Sequence, residues 1–227
     1  MISKGSASTQ GSTGKEVALR TAVIPNLTLG GAVVSNVVVL VSKDKSFKVN
    51  LGKHSHFQIQ GVLGYPVLAA LGSLTITPDA LEVRPASEPS PRSARLYVDE
   101  FTPLMAATIE GHELLFQLDT GADAASFTLN YLREFPGQFA SMTPKQWGTG
   151  GIGGVRFMPA YTLPQVDIHL GSAVATLKNV PVMTEPLGLD PLDALFGNLG
   201  QGLLQKFVNY TIDLNRMQLV LGPNASE

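Results

Sequence analysis

The sequence contains no cysteine, which excludes disulfides, thiolate metal sites and a cysteine nucleophile. That absence does not fix the compartment, because a periplasmic protein can also do without cysteine. Charge is scarce: 15% of residues are charged, and the net charge of −2 leaves no basic footprint for nucleic acid. Long apolar runs are missing as well. The longest, residues 37–41, falls far short of the roughly 20 residues that span a bilayer, so no membrane span is expected. The start, Met1-Ile2-Ser3-Lys4-Gly5-Ser6, has no apolar signal region. Any targeting peptide was removed or lies upstream, and a periplasmic or secreted location is the expectation if an upstream signal peptide exists. Tryptophan occurs once, as Trp147, and helical periodicity is confined to short stretches at 66–71, 129–134 and 202–207.

What is abundant points to strands. Hydrophobic residues make up 44% of the chain, enough for a sizeable core, and 23 glycines with 15 prolines supply many turns. Short β-branched or apolar runs are bounded by Gly, Pro, Asn or Asp. They cover residues 33–41, 74–76, 81–83, 108–109, 114–118, 166–170, 180–183, 210–214 and 218–221. The fold class expected is all-β with a few helical turns. Residues 84–95 hold Pro85, Pro89 and Pro91 among serines and charges, which suits a linker. The expected organisation is 1–83, linker 84–95, 96–222, and a tail at 223–227.

The two blocks repeat one another. Leu63-Gly64 matches Leu199-Gly200, 136 positions later, and the register holds without a gap through Leu68 and Leu204, Thr75 and Thr211, Ile76 and Ile212, and Val83 and Leu219. Upstream, Gly11 and Gly14 match Gly150 and Gly153, Ile24-Pro25 matches Leu163-Pro164, and Leu29-Gly30 resembles Leu170-Gly171. The second block has about fifty residues before its Gly-rich loop, where the first has ten. The first block thus reads as the back half of a lobe whose front half is missing.

That front half carries the candidate chemistry. In Leu114-Leu115-Phe116-Gln117-Leu118-Asp119-Thr120-Gly121-Ala122 an apolar strand ends at an acid, a hydroxyl and a glycine. A buried strand can deliver a carboxylate to the rim of a cleft, Thr120 can tie the loop through its hydroxyl, and Gly121 lets backbone approach. An Asp-Thr-Gly turn after a strand is, in isolation, usually only a turn.

Together with its context, the stretch Leu118-Asp119-Thr120-Gly121-Ala122 resembles the active-site loop of retropepsin-like and pepsin-like aspartic proteases, and most of all bacterial retropepsin-like proteins. Trp147-Gly148-Thr149-Gly150-Gly151-Ile152-Gly153-Gly154 stands where that family has its flap. Asn198-Leu199-Gly200 before Leu203-Leu204 is similar to its apolar-apolar-Gly motif and short helix, although the family usually has a larger apolar residue than Asn198. Leu195-Phe196-Gly197 fits the tripeptide better and the helix spacing worse, so either Gly197 or Gly200 packs behind the loop.

The resemblance implies acid-protease barrel lobes, of which 96–222 is complete and 1–83 partial. It implies Asp119 as catalytic carboxylate, Thr120, Gly121 and Ala122 as its loop, and Leu199 and Gly200 as loop support. Trp147, Gly150, Gly151, Ile152 and Gly153 fall to the flap and substrate groove. Two aspartates sharing a proton activate a water for peptide hydrolysis, with no metal or cofactor. The substrate is an extended peptide or protein. This chain has one such loop. The second acid must come from sequence upstream, from a homodimer partner, or be absent, which leaves a peptide-binding or dimerisation module as the alternative.

Other residues read more plainly. Asp44, Asp79, Asp190 and Asp193 suit turns, and Asp123 suits a solvated loop. His54 and His56 have strand spacing but no third metal ligand nearby, and His112 and His169 are scattered. Ser126 lacks nucleophile-elbow glycines, and the 148–154 loop lacks the Lys-Ser or Lys-Thr of a phosphate loop.

Overall fold

Strand-forming runs and turn residues alternate along the chain, and the computed structural model is correspondingly all-β, with three short α-helices among the described residues. It describes residues 2–10, 16–42, 48–50, 56–58, 61–84, 87–151, 154–188 and 192–226. The strands are β1 Ile2–Gln10, β2 Glu16–Leu29, β3 Ala32–Ser42, β4 Lys48–Asn50, β5 His56–Gln58, β6 Ser73–Ile76, β7 Leu81–Arg84, β8 Ser93–Asp99 and β9 Thr102–Ile109. They continue with β10 His112–Leu118, β11 Ser126–Phe127, β12 Lys145–Gly151, β13 Gly154–Leu170, β14 Ala173–Met183, β15 Gly197–Leu199, β16 Tyr210–Asp213 and β17 Gln218–Leu221. The helices are α1 Tyr65–Leu71, α2 Leu129–Glu134 and α3 Gln201–Leu204, each at a stretch where helical periodicity is legible. No helix among the described residues is long and apolar enough to cross a membrane.

The chain divides into two compact units. One comprises Met1–Ala70 with Gly148–Phe157, the other Leu71–Trp147 with Met158–Glu227. This division does not coincide with a boundary at 84–95. The reason is a strand pairing: β6 hydrogen-bonds β16, which ties β6 and β7 to the second block.

In the first unit, β1, β2 and β3 form an antiparallel sheet in that order. Its turn between β2 and β3 is tight, with Leu29 opposite Ala32 and Gly30 at φ +59°, a conformation that suits glycine. Only Leu19 and Val37 of these strands' described side chains are buried.

The second unit holds the main core. A sheet runs in the order β12-β13-β14-β11-β15-β10-β9-β8-β17-β16-β6-β7. Alternate residues of β9 and β10 face inward: Met105, Ala107, Ile109, Leu114, Phe116 and Leu118 are buried. They pack with Phe127, Tyr131, Ile168, Val182, Leu199 and Leu203 in one cluster. Helix α2 is capped by Thr128, whose hydroxyl accepts from the Asn130 amide and donates to the Leu195 carbonyl at 2.6 Å. Burial pushes the Tyr131 hydroxyl up to about 12, and the hydroxyl donates to Gln138 Oε1 at 3.3 Å.

The repeat legible in the sequence has a structural counterpart in each unit. Strands β12, β13 and β14 follow the order of β1, β2 and β3. Ile24 pairs with Val37 as Leu163 pairs with Val180. In both hairpins the next residue is a proline, which cannot donate to the ladder, and a positive-φ asparagine stands across the gap: Asn36 at 56° and Asn179 at 54°. At the other end of the repeat, β6 lies antiparallel to β16 so that Thr75 faces Thr211. Their hydroxyls hydrogen-bond at 2.8 Å, so residues equivalent by the repeat meet on a local two-fold. The adjoining turns also match. Thr77 accepts from the amides of Asp79 and Ala80, as Asp213 accepts from those of Asn215 and Arg216.

The segment between β7 and β8 is anchored through Asp213. This fully buried carboxylate also accepts from the amide and hydroxyl of Ser87 at 2.6 and 2.7 Å. Burial by itself would raise its pKa. The Ser87 hydroxyl and the amides of Ser87, Arg216 and Asn215 outweigh that and hold it below the ordinary carboxylate value.

Candidate active site

Asp119 stands at the end of β10, directly after buried Leu118. The short strand β15 fixes it from behind. Gln117 and Leu118 pair in parallel with Asn198 and Leu199, and the Asp119 amide donates to the Leu199 carbonyl at 3.0 Å. On its other edge β15 takes up β11, with Ser126 opposite Asn198 and Phe127 opposite Gly197. A three-residue strand with no apolar alternation of its own is thus held by neighbours on both sides.

The loop itself is tied at each residue. The Ala122 amide donates to the Asp119 carbonyl at 3.1 Å, and the Gly121 amide donates to Asp119 Oδ1 at 2.9 Å. Helix α3 closes the loop from the far side. Gln201 donates through its amide to the Ala122 carbonyl and through its side chain to the Thr120 carbonyl, and the Gly202 amide donates to the Asp123 carbonyl. Thr120 is exposed, and its recorded tie runs through this carbonyl rather than through the hydroxyl expected to do it.

Two glycines compete for the place behind the loop, and each has its own. A Cβ on Gly200 would overlap the Ala122 carbonyl oxygen and come within 2.9 Å of the Asp119 carbonyl oxygen. A Cβ on Gly197 would overlap the Ser126 carbonyl oxygen and meet the Phe127 backbone at 2.9 Å. Gly200 therefore packs against the Asp119 loop, and Gly197 packs against β11. Leu199 between them is fully buried, as are Leu203 and Leu204 of α3.

Asp119 is half-buried, and its second oxygen faces Asn198, to which the sequence assigned no role in the site. Asn198 Nδ2 lies 3.5 Å from Asp119 Oδ2, at the outer limit of a hydrogen bond. Asn198 Oδ1 is buried with no recorded partner. The one signal for this contact in the sequence is the polar residue where a large apolar one is usual. Gln201 had no signal at all.

The hairpin expected to form the flap consists of β12 and β13. Ile152 and Gly153 lie outside the described residues. Trp147, in β12, packs on a small cluster of Met158, Ala160 and Met183, with Leu187. Gly150 and Gly151 fall within β12.

Of the remaining residues, Asp123 and Ser126 join this arrangement through their backbones. Asp193 accepts from the amides of Leu187 and Gly188, as a turn acid does. His112 lies 2.7 Å from Glu134 and edge-on to Phe135. His169 and Asp123 are exposed, and Ser126 is half-buried. Asp44, His54 and Asp190 lie outside the described residues, as do Gly11 and Gly14.

No protein-family model matches the chain, and no curated protein matches it. Among solved structures, a retropepsin-like aspartic protease from Rickettsia conorii is similar at a TM-score of 0.40 and 18% identity, over 58% of this chain and 90% of that one.

Proposed function

We propose that the chain is part of an aspartic endopeptidase in which Asp119 is one of two catalytic carboxylates. The observation that carries this reading is the anchoring of Asp119. A buried strand, two backbone amides and a close-packed glycine hold one carboxylate at a strand end, with each oxygen facing a donor. Such rigidity is what positioned acid–base catalysis requires. In this reading Thr120, Gly121 and Ala122 form the active-site loop, and Leu199 and Gly200 support it. Trp147, Gly150, Gly151, Ile152 and Gly153 are in this reading the flap and substrate-binding residues for an extended peptide.

The mechanism needs a second acid, because an ionised carboxylate takes a proton from water while a protonated one donates to the scissile carbonyl. The chain has one Asp-Thr-Gly sequence. The second comes from upstream sequence or from a partner chain. The lone acid also motivates a second reading, a peptide-binding or dimerisation module without turnover.

Cleavage of casein at mildly acidic pH, blocked by a statine-type inhibitor, separates the two. Asp119→Asn is expected to lower the rate by about 10²–10⁴-fold, the usual worth of a positioned acid or base. Full activity in that variant refutes the assignment. Peptide binding without cleavage, at any protein concentration, favours the module.

A further inference from the structure

Asn198 stands where the first copy of the repeat has Val62, 136 positions earlier, so the polar residue occurs only in the copy that holds the acid. Asparagine is depleted in strands, where β-branched residues pack better. Position 198 has strand neighbours on both sides, Gln117 and Ser126. Its Oδ1 is buried with no recorded partner, and a buried carbonyl without a hydrogen bond costs stability. Folding alone therefore favours a residue such as valine at this place.

What the asparagine supplies is a donor. Its Nδ2 faces Asp119 Oδ2 at 3.5 Å, while the Gly121 amide donates to Oδ1 at 2.9 Å. Turning the Asn198 amide over would set its carbonyl against the carboxylate and leave two N–H groups unpartnered in place of one oxygen. The elements around the loop add no charge. Strand β15 is Gly-Asn-Leu, α3 is Gln-Gly-Leu-Leu, β11 is Ser-Phe, and β10 ends in Phe-Gln-Leu. Asp123, the loop's other acid, is exposed. Among the described residues no cation has a recorded ion pair with Asp119. The recorded side-chain partners of this carboxylate are thus two neutral donors, one on each oxygen.

We infer that Asn198 is a positioning residue that fixes the plane of the Asp119 carboxyl and keeps it the ionised member of a carboxyl pair. The contact follows from geometry alone, and the pair rests on the aspartic-peptidase reading. Within that reading the two acids take unequal parts. Asp119 takes a proton from the water as the water oxygen bonds to the scissile carbonyl carbon, and the second acid gives its proton to the carbonyl oxygen. Donors on both oxygens favour the charged form, so the proton shared by the pair sits on the second acid before the water attacks.

The test compares the full chain with Asn198→Val and Asp119→Ala. In NMR spectra of protein carrying isotope-labelled asparagine side chains, the Asn198 Nδ2 resonances are those lost in Asn198→Val. They are expected to shift in Asp119→Ala, and unchanged resonances overturn the inference. Asn198→Val should unfold at the same urea midpoint as the wild type or a higher one, because an unpartnered carbonyl is removed. A lower midpoint makes Asn198 a packing residue and also overturns it. Casein cleavage by Asn198→Val should show kcat lowered about tenfold, the worth of one hydrogen bond to a charged group, with KM unchanged. The acid limb of its pH–rate profile, a property of the pair, should move to higher pH. An unmoved limb refutes the assignment of Asp119 as the base. With no cleavage by the wild type, that assignment falls together with the peptidase reading, and the resonance and urea measurements still decide the contact.

Discussion

The β2–β3 and β13–β14 hairpins turn on Leu-Gly, place a proline opposite a positive-φ asparagine and pair Ile24 with Val37 as Leu163 with Val180. Yet the second hairpin contributes most of a core face and the first buries one described residue of β3, Val37. Hairpin geometry is therefore written locally, in residues that set φ and remove ladder donors. Burial is written elsewhere, in the strands that cover the hairpin. For β13 and β14 those are β9, β10 and β11, whose side chains join the same cluster.

The largest expected effect breaks this comparison open. Met183→Ala should cost about 2–5 kcal/mol, as is usual for truncating a buried methionine. The equivalent Leu40→Ala should stay within about 0.5 kcal/mol, as for exposed positions. Amide exchange in β14 and β3 reads each value. Comparable losses at both positions would mean that the first hairpin has a cover of its own.

Glycine sharpens the contrast at the next level. Gly200→Val forces a side chain into the backbone of Ala122 and should cost at least about 1–3 kcal/mol, with the Asp119 loop displaced. Gly64→Val has only ordinary contact with Pro66 and should be close to neutral. Urea unfolding followed by Trp147 fluorescence reports the first, and backbone amide shifts around residue 64 report the second.

The same division explains what the sequence made legible. Strands with β-branched or apolar runs could be read directly, and so could α1, α2 and α3, because their signals lie within the element. Strand β1, ISKGSASTQ, has almost no apolar residue and forms by pairing with β2. Strand β15 exists because β10 and β11 flank it. Asp119 was legible from the strand before it and the glycine after it. Asn198 was visible only as a departure from a pattern, and its place against the carboxylate depends on pairing between residues 79 positions apart. The tie between Asp213 and Ser87 spans 126 positions, and Arg92 donates to the Gly222 carbonyl 130 positions away, so a Pro- and Ser-rich stretch that reads as a free linker is pinned by distant partners.

That tie gives a pH signature that only one copy of the turn should show. The Asp213 carboxyl is held below its unfolded value of about 3.9. Between the two values the unfolded chain binds the extra proton, so stability rises with pH there. The contribution is complete above about pH 4–5 and is lost as pH falls through the lower, folded value. Asp213→Asn should cost about 2 kcal/mol at neutral pH, since it weakens charge-assisted hydrogen bonds. It should also flatten the decline in urea midpoint on acidification. Thr77, which caps the matching turn with a hydroxyl, has no such titration, and Thr77→Ser should leave the pH profile unchanged.

The smallest expected effect concerns the point where the copies meet. Thr75 and Thr211 hydrogen-bond across β6 and β16 while half-buried. Removing either hydroxyl strands its partner, so Thr75→Val and Thr211→Val should each cost about 0.5–1.5 kcal/mol. The double variant replaces both by methyl groups of similar shape on a strand that favours β-branched residues, and it should recover part of that loss. A double-mutant cycle on urea unfolding therefore predicts losses that are less than additive, and by the local two-fold the two single variants should cost nearly the same. Additive losses would show that the hydroxyl pair contributes no coupling. Unequal single losses would show that the two-fold relation ends at the backbone, with the side-chain surroundings of the two hairpins already diverged.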